Sequence, residues 1–259
     1  MSSNTHPPFL LFRNISLTYE SKDTHIEALR DINFSVNAGE FVSIVGPSGC
    51  GKTTLLKLAS GLLKPTKGEL FFKGNKVKEI VKGVGMAFQD ALLLPWRNIL
   101  DNVLLPIEIL KRSKEEFIEK AEELLTIVDI KGFGNKFPWE LSGGMQQRAN
   151  LCRALIHDPE ILLLDEPFGA LDAFTREKLW LIAQDLHQKI KCTTVLVTHY
   201  LPEAVFLSDR IIVLCKRPGT VADEEKVSIP RPRPTKFMYT EEFLDYELRL
   251  REKMGMSVK

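Results

Sequence analysis

The sequence has no closely spaced pair of cysteines. Its four cysteines, Cys50, Cys152, Cys192 and Cys215, are scattered without a C-x-x-C among them. A zinc site or a disulfide framework therefore has no ligand spacing to rest on, and reduced thiols in a cytosolic setting are expected. Excess charge is missing too: 35 Lys and Arg stand against 34 Asp and Glu, for a net charge of +1. A broad electrostatic footprint for nucleic acid needs a basic surplus, so no nucleic-acid partner is expected. No run comes near the roughly 20 apolar residues that cross a bilayer. Met1–Pro8 lacks a basic segment followed by an apolar one, which argues against a secretory signal. If the chain works at a membrane, another chain must supply the membrane part. Internal repeats and low-complexity tracts are also missing.

What is present is ordinary globular material. With 259 residues, 44% hydrophobic and 27% charged, the chain suits one large domain or a domain carrying a small subdomain. Short apolar runs alternate with helical patterns, the mark of an α/β protein. Strands are expected at Leu10–Thr18, Ile32–Val36, Phe41–Val45, Glu69–Phe72, Val84–Phe88, Ile161–Leu164, Thr194–Thr198 and Ile211–Leu214. The unbroken apolar run Ile161–Leu164 suits a parallel strand covered on both faces. Between Asn98 and Glu140 the pattern is helical only, and Ser113 with Glu116 is read as a capping box before Phe117, Ala121, Leu124, Leu125 and Val128. A second helix is expected over Ala173–Ile190, with Leu179, Ile182, Ala183, Leu186 and Ile190 on one face. Pro230–Pro234 reads as a stiff extended connector, and Thr240 as the cap of a last helix holding Phe243, Leu244, Leu248 and Leu250.

Three strings carry chemistry. Gly46-Pro47-Ser48-Gly49-Cys50-Gly51-Lys52-Thr53-Thr54 matches G-x-x-x-x-G-K-[ST] in full, with a strand before it and a helical run, Leu55–Leu63, after it. Glycines let the backbone amides turn inward onto phosphate oxygens, and the helix start adds positive partial charge. Lys52 is expected to neutralise the β- and γ-phosphates and the Thr53 hydroxyl to ligate Mg²⁺. The guanine-reading N-K-x-D string is absent, which favours ATP. Next, Asp165 and Glu166 close the buried strand, where ligands of open α/β sheets bind. Asp165 would hold Mg²⁺ through water and Glu166 would polarise the attacking water. Third, Leu141-Ser142-Gly143-Gly144-Met145-Gln146-Gln147-Arg148 opens a helix that runs through Leu155 with a serine and two bare amides, a second anion-binding helix start. One nucleotide does not need two such cradles in one site; a helix start offered to a nucleotide on another subunit would use both.

The third string resembles the signature motif of ABC ATPases, and the resemblance covers nearly the whole chain. It implies a P-loop NTPase core of ABC type with an antiparallel β portion and an inserted helical subdomain. The ATP-binding domain would span 1–229, with the helical subdomain at about 98–158, and a connector and C-terminal helix would fill 230–259. Tyr19 matches the family's adenine-stacking aromatic, Gln89 its Q-loop glutamine and Mg²⁺ ligand, Asp172 its D-loop and His199 its switch histidine. The resemblance assigns catalysis to Glu166, His199, Gln89 and Lys52, and nucleotide contacts to Tyr19, Gly46 through Thr54, Ser142, Gly143, Gly144, Gln146 and Asp172. Two copies would sandwich ATP head to tail. Phe88–Arg97, Pro167–Asp172 and the short tail look like the ATPases of nitrate, sulfonate, taurine and pyrimidine-precursor importers. That likeness implies separate membrane permease subunits, an extracytoplasmic solute-binding protein and a peripheral place on the cytoplasmic face of the membrane. Trp96 reads equally as a subdomain core residue or as an anchor in the permease interface.

Two readings compete with transport. A soluble ABC ATPase of DNA repair would need sustained heptads, and one of translation a second cassette; neither is visible. A small-molecule kinase would leave Leu141–Arg148 without a task.

Overall fold

The computed structural model describes residues 7–21, 24–169 and 171–255. Residues 1–6 and Ala170 of the D-loop string lie outside the described residues. The chain divides into two compact units: residues 1–82, 193–230 and 236–259 form one, and residues 83–192 with 231–235 form the other.

The first unit holds two sheet portions. Strands β1 (Leu10–Ser21) and β2 (Thr24–Val36) form a long antiparallel hairpin, and β1 pairs on its other edge with β4 (Lys67–Phe72), which turns back into the short β5 (Asn75–Lys76). Leu10, Phe12, Ile15 and Leu17 of β1 are buried, as are Ile32, Phe34 and Val36 of β2. This period-two burial is that of a sheet with one solvated face. The register slips between Arg13 and Ser16, where Gly68 passes so close that a Cβ on it would sit 2.1 Å from the Asn14 carbonyl oxygen. The second portion is parallel at its centre. Strand β3 (Phe41–Val45), buried throughout, lies between β8 (Thr193–Thr198) and β9 (Arg210–Leu214), and β9 pairs antiparallel with β10 (Val221–Lys226). Helices α1 (Lys52–Ala59), α6 (Leu201–Leu207) and α7 (Glu241–Lys253) complete the unit.

The second unit pairs β6 (Val84–Ala87) in parallel with β7 (Ile161–Asp165). Its helices are α2 (Ile99–Ile109), α3 (Ile118–Ile127), α4 (Gly143–Leu155) and α5 (Ala173–Ile190). Gly85 lets α4 approach β6: a Cβ there would lie 2.2 Å from the Ala154 carbonyl oxygen.

The expected α/β class with an antiparallel portion is what forms. The differences are local. Half of β2, β5 and β10 were not anticipated: β5 is two residues long, and β10 is Val-Ala-Asp-Glu-Glu-Lys, an exposed edge strand whose charge hides it from a hydrophobic pattern. Helix α1 ends at Ala59 rather than Leu63, because Gly61 turns left-handed there and a Cβ on it would strike the Glu79 carbonyl oxygen at 2.3 Å. The capping box at Ser113 does not form. The Ser113 hydroxyl donates to Glu115 Oε2 at 2.6 Å, a 3-10 turn occupies Glu115–Phe117 and α3 starts at Ile118. Phe117, Ala121, Leu124, Leu125 and Val128 are nonetheless all buried. On α5 the buried stripe is rotated from the expected one: Trp180, Gln184 and His187 join Leu179, Ala183 and Leu186, while Ile190 is exposed. The reason lies in the proline-rich segment. Gln184 Oε1 accepts the Arg233 N–H at 2.7 Å and its Nε2 donates to the Arg233 carbonyl at 3.1 Å, with Arg233 only 1% exposed. The stiff segment read as a connector is thus hydrogen-bonded to a helix. Helix α7 is capped by the Thr240 hydroxyl as expected, but only Phe243 and Leu250 of its four named residues are buried, with Leu244 and Leu248 exposed.

Candidate functional site

In the first unit, the phosphate-loop string turns between β3 and α1. Two glycines make the turn possible. Gly51 adopts φ 98° at the N-cap of α1, and a Cβ on it would meet Leu29 Cδ2 at 2.6 Å. Gly46 has its own crowding, since a Cβ would fall 2.7 Å from Cys50 Sγ and 2.9 Å from the Leu214 carbonyl oxygen. Lys52 is 5% exposed, and its ammonium donates to the carbonyls of Gly46 at 2.9 Å and Pro47 at 3.2 Å. The charge is thereby held inside the loop. Ser48, Gly49 and Thr53 are exposed, while Cys50 and Thr54 are buried and burial pushes the Cys50 thiol up.

Tyr19 comes to this loop from β1. Its hydroxyl and that of Thr54 are 3.1 Å apart, and 42% of Tyr19 stays exposed, so the bond steadies the ring without covering it. Register brings His199 to the same edge. Val45 lies opposite Thr198 and Val213 on the two flanking parallel strands, so Gly46, His199 and Leu214 all leave the sheet together at its carboxyl end. The turn bearing His199 is tied by the Thr198 hydroxyl, which accepts the Tyr200 N–H at 3.0 Å and donates to Glu203 Oε2 at 3.2 Å.

In the second unit, Asp165 is the buried last residue of β7 and Glu166 follows with φ 44°. A left-handed glutamate breaks the alternation of the strand directly after Asp165. Ala87 pairs with Leu164, so Gln89, two residues beyond the end of β6, lies beside the level of Glu166. Gln89 itself is exposed.

Three residues that sequence reasoning did not single out hold the segment around Gln89. On one face of α4, Gln147 Nε2 donates to the Gln89 carbonyl, Asn150 Nδ2 to the Phe88 carbonyl at 3.2 Å, and Arg153 to the carbonyls of Ala91 at 2.6 Å and Leu92 at 2.8 Å. Their i, i+3, i+6 spacing was the available sign: polar side chains on the inward face of a helix otherwise rich in buried residues. Burial lowers the Arg153 pKa from its usual value. The chain then rises to Trp96, which is 71% exposed, so of its two readings the core one falls. Buried Asn102 anchors that segment: it accepts the Leu94 N–H at 2.7 Å and donates to the carbonyls of Leu94, Arg97 and Asn98.

Helix α4 begins at the second anion-type start. Ser142 caps it, its hydroxyl accepting the Met145 N–H at 3.3 Å. Nothing lies within 4 Å of a Cβ placed on Gly143, whereas one on Gly144 would meet Thr175 Cγ2 at 2.9 Å. Gln146 has a structural duty the sequence did not suggest, its amide donating to the carbonyls of Pro138 at 2.9 Å and Leu141 at 3.3 Å. Asp172 caps α5 by accepting the Thr175 N–H at 3.0 Å, and that backbone bond holds its carboxyl below the usual range. Among the described residues no cluster of three His, Cys, Asp or Glu could hold a metal alone. Thr53 in the first unit, and Gln89 and Asp165 in the second, each carry side-chain oxygen, the hard donor type that suits Mg²⁺.

The sequence pattern of the ABC transporter family matches residues 29–169. The chain is 42% identical to the uncharacterised ABC transporter ATP-binding protein MJ0412 of Methanocaldococcus jannaschii, across 93% of this chain and 89% of that one. It is 40% identical to the taurine import ATP-binding protein TauB of Pelagibacter ubique, covering 83% of this chain and 82% of the relative. It is also 40% identical to the aliphatic sulfonates import ATP-binding protein SsuB of Bacillus cereus, over 83% and 85%. Among solved structures it is similar to a dimeric post-hydrolysis state of the ATP-binding cassette MJ0796 bound to ADP and Pi, with a TM-score of 0.76 and 36% identity over 85% of this chain and 100% of the other.

Proposed function

Because the chain belongs to the ABC transporter family and is an ATP hydrolase of it, we propose that it powers import of a small solute of the taurine and sulfonate kind through separate permease subunits. One observation carries the reading: Ser142 and Gly143 form an exposed helix start, open around Gly143, in a chain that already has a complete phosphate loop. A second copy supplies the nucleotide for that start, and each ATP lies between the loop of one copy and the helix tip of the other. The dimeric cassette MJ0796 and the importer names of the relatives support this arrangement and the solute class.

Within the sandwich, Tyr19 stacks on adenine and the amides of Gly46 through Thr54 wrap the phosphates. Lys52 exchanges its loop carbonyls for phosphate oxygens. Gly144, Gln146 and Asp172 complete the nucleotide contacts alongside Ser142 and Gly143. Thr53, Gln89 and Asp165 are the residues that would hold Mg²⁺, whose charge would offset that of the phosphates. Glu166 orients and deprotonates the attacking water, and His199 hydrogen-bonds the γ-phosphate. Trp96, lifted on the Asn102-anchored segment, docks against the permease, where an exposed aromatic anchor is at home. No helix among the described residues is long and apolar enough to cross a membrane. The chain's place is peripheral, at the cytoplasmic face, beside permease subunits that a solute-binding protein feeds from outside.

The test has two arms. Glu166→Gln is expected to cut turnover by about 10²–10⁴-fold with ATP binding intact; a variant that hydrolyses at the parent rate removes Glu166 from this role. Uptake by the complex reconstituted with its permease is then compared for taurine, alkyl sulfonates, nitrate and pyrimidine precursors. Uptake confined to the last two overturns the sulfonate assignment.

A further inference from the structure

The hairpin between β9 and β10 is not used by the reading above. β9 runs parallel beside β3, so its loop, Cys215-Lys216-Arg217-Pro218-Gly219, leaves the sheet at the same edge as the phosphate loop. Gly219 fastens it there. Its N–H donates to the Ala28 carbonyl and its own carbonyl accepts the Arg30 N–H, both at 2.9 Å. A Cβ on Gly219 would fall 2.1 Å from the Cys50 carbonyl oxygen, so the hairpin and the phosphate loop touch backbone to backbone with no room for a side chain. From this anchor Arg217 reaches the tip of the loop. A Cβ placed on Gly49 would lie 3.7 Å from Arg217 Nη2, with no other atom beyond its own chain neighbours within 4 Å. Arg217 is exposed, and no carboxylate among the described residues pairs with it.

An arginine held by a locked hairpin at the mouth of an anion cradle, with no described carboxylate paired to it, has its natural counter-charge in the anion itself. A triphosphate wrapped by that loop would lie within the screening length of about 8 Å at physiological salt. A guanidinium is also the side chain best shaped for phosphate oxygens. We propose that Arg217 is a nucleotide-binding residue, which adds its guanidinium to the outer phosphates of ATP and gives the cradle a second cation besides Lys52. The proposal rests on reading Gly46–Thr54 as the phosphate cradle. A carboxylate on a second copy is the competing partner, and the test separates the two.

Arg217→Ala, Arg217→Lys and Lys52→Ala are made in the full chain. Their affinities for ATP, ADP and AMP are measured by calorimetry at about 50 and 200 mM salt, at protein concentrations where the chain is monomeric. Arg217→Ala is expected to weaken ATP by about three- to tenfold, ADP less and AMP hardly at all, with Arg217→Lys recovering part of the loss through its charge. The salt dependence of ATP binding should also flatten in the Ala variant. Unchanged ATP affinity in Arg217→Ala, with Lys52→Ala weakened, overturns the proposal and leaves the cradle reading standing. So does an equal loss for all three nucleotides, which would mark a structural role. Intact monomer affinity with lost ATP-driven dimerisation in a Glu166→Gln background would hand the guanidinium to the second copy instead. ATP affinity unaltered by Lys52→Ala would bring down the cradle reading, and the proposal with it.

Discussion

Gly51 shows how tightly single positions are constrained around the loop. Its φ of 98° and the Leu29 methyl 2.6 Å from any added Cβ both exclude a side chain. Gly51→Ala is expected to cost about 2–3 kcal/mol of stability and to abolish ATP binding, read by chemical denaturation and by calorimetry. Glu108 makes a different residue-scale statement. Arg97, bonded to it at 2.7 and 3.1 Å, and Lys114 pull its carboxyl down from the ordinary 4.5 to about 2. A carboxyl depressed in the folded state stabilises above its unfolded pKa, and the benefit is lost as pH falls from about 4.5 toward about 2. Denaturation midpoints followed across that window should fall more steeply in the parent than in Glu108→Gln. Parallel curves for the two would show that the cluster contributes nothing. The pairing was not legible in the sequence, because Arg97 and Glu108 meet only through the Asn102-anchored bend between them. Lys52, Thr53, Asp165 and Glu166 were legible because each sits in a string whose order prescribes its backbone.

At the scale of elements, α4 does two jobs. Its first turn offers an open anion-type start, and its inward face brackets the chain from Phe88 to Leu92 through Gln147, Asn150 and Arg153. Arg153→Ala removes the donors for two of those carbonyls and is expected to cost about 1–3 kcal/mol. Amide exchange should accelerate at residues 88–93, and protection in β7 should change little; uniform acceleration would mean the bracket is not local. Strands read well where burial is two-sided or alternating, as in β3 and β7, and poorly where charge covers an edge, as in β10. Helix faces were harder. The stripe on α5 is set by Gln184 gripping the Arg233 backbone, a contact 49 residues distant in sequence that no local period encodes.

For the molecule as a whole, the sandwich reading makes assembly depend on nucleotide. With ATP, Glu166→Gln should run as a dimer in light scattering; adding Ser142→Arg should return it to monomer with ATP affinity kept to within about threefold. A dimer that persists in the double variant would detach Ser142 from the interface. Lys52 sets the character of the first encounter in that cycle. Its ammonium already donates to the carbonyls of Gly46 and Pro47, so an arriving anion does not fill a vacant slot but must outcompete resident acceptors. Chloride or a lone carboxylate, with one charge to offer, gains little from that exchange, whereas a polyphosphate that also satisfies the surrounding amides gains from every one of them. On the sandwich reading, the loop is therefore expected to favour polyphosphate over the abundant small anions of the cell before any part of the base is read.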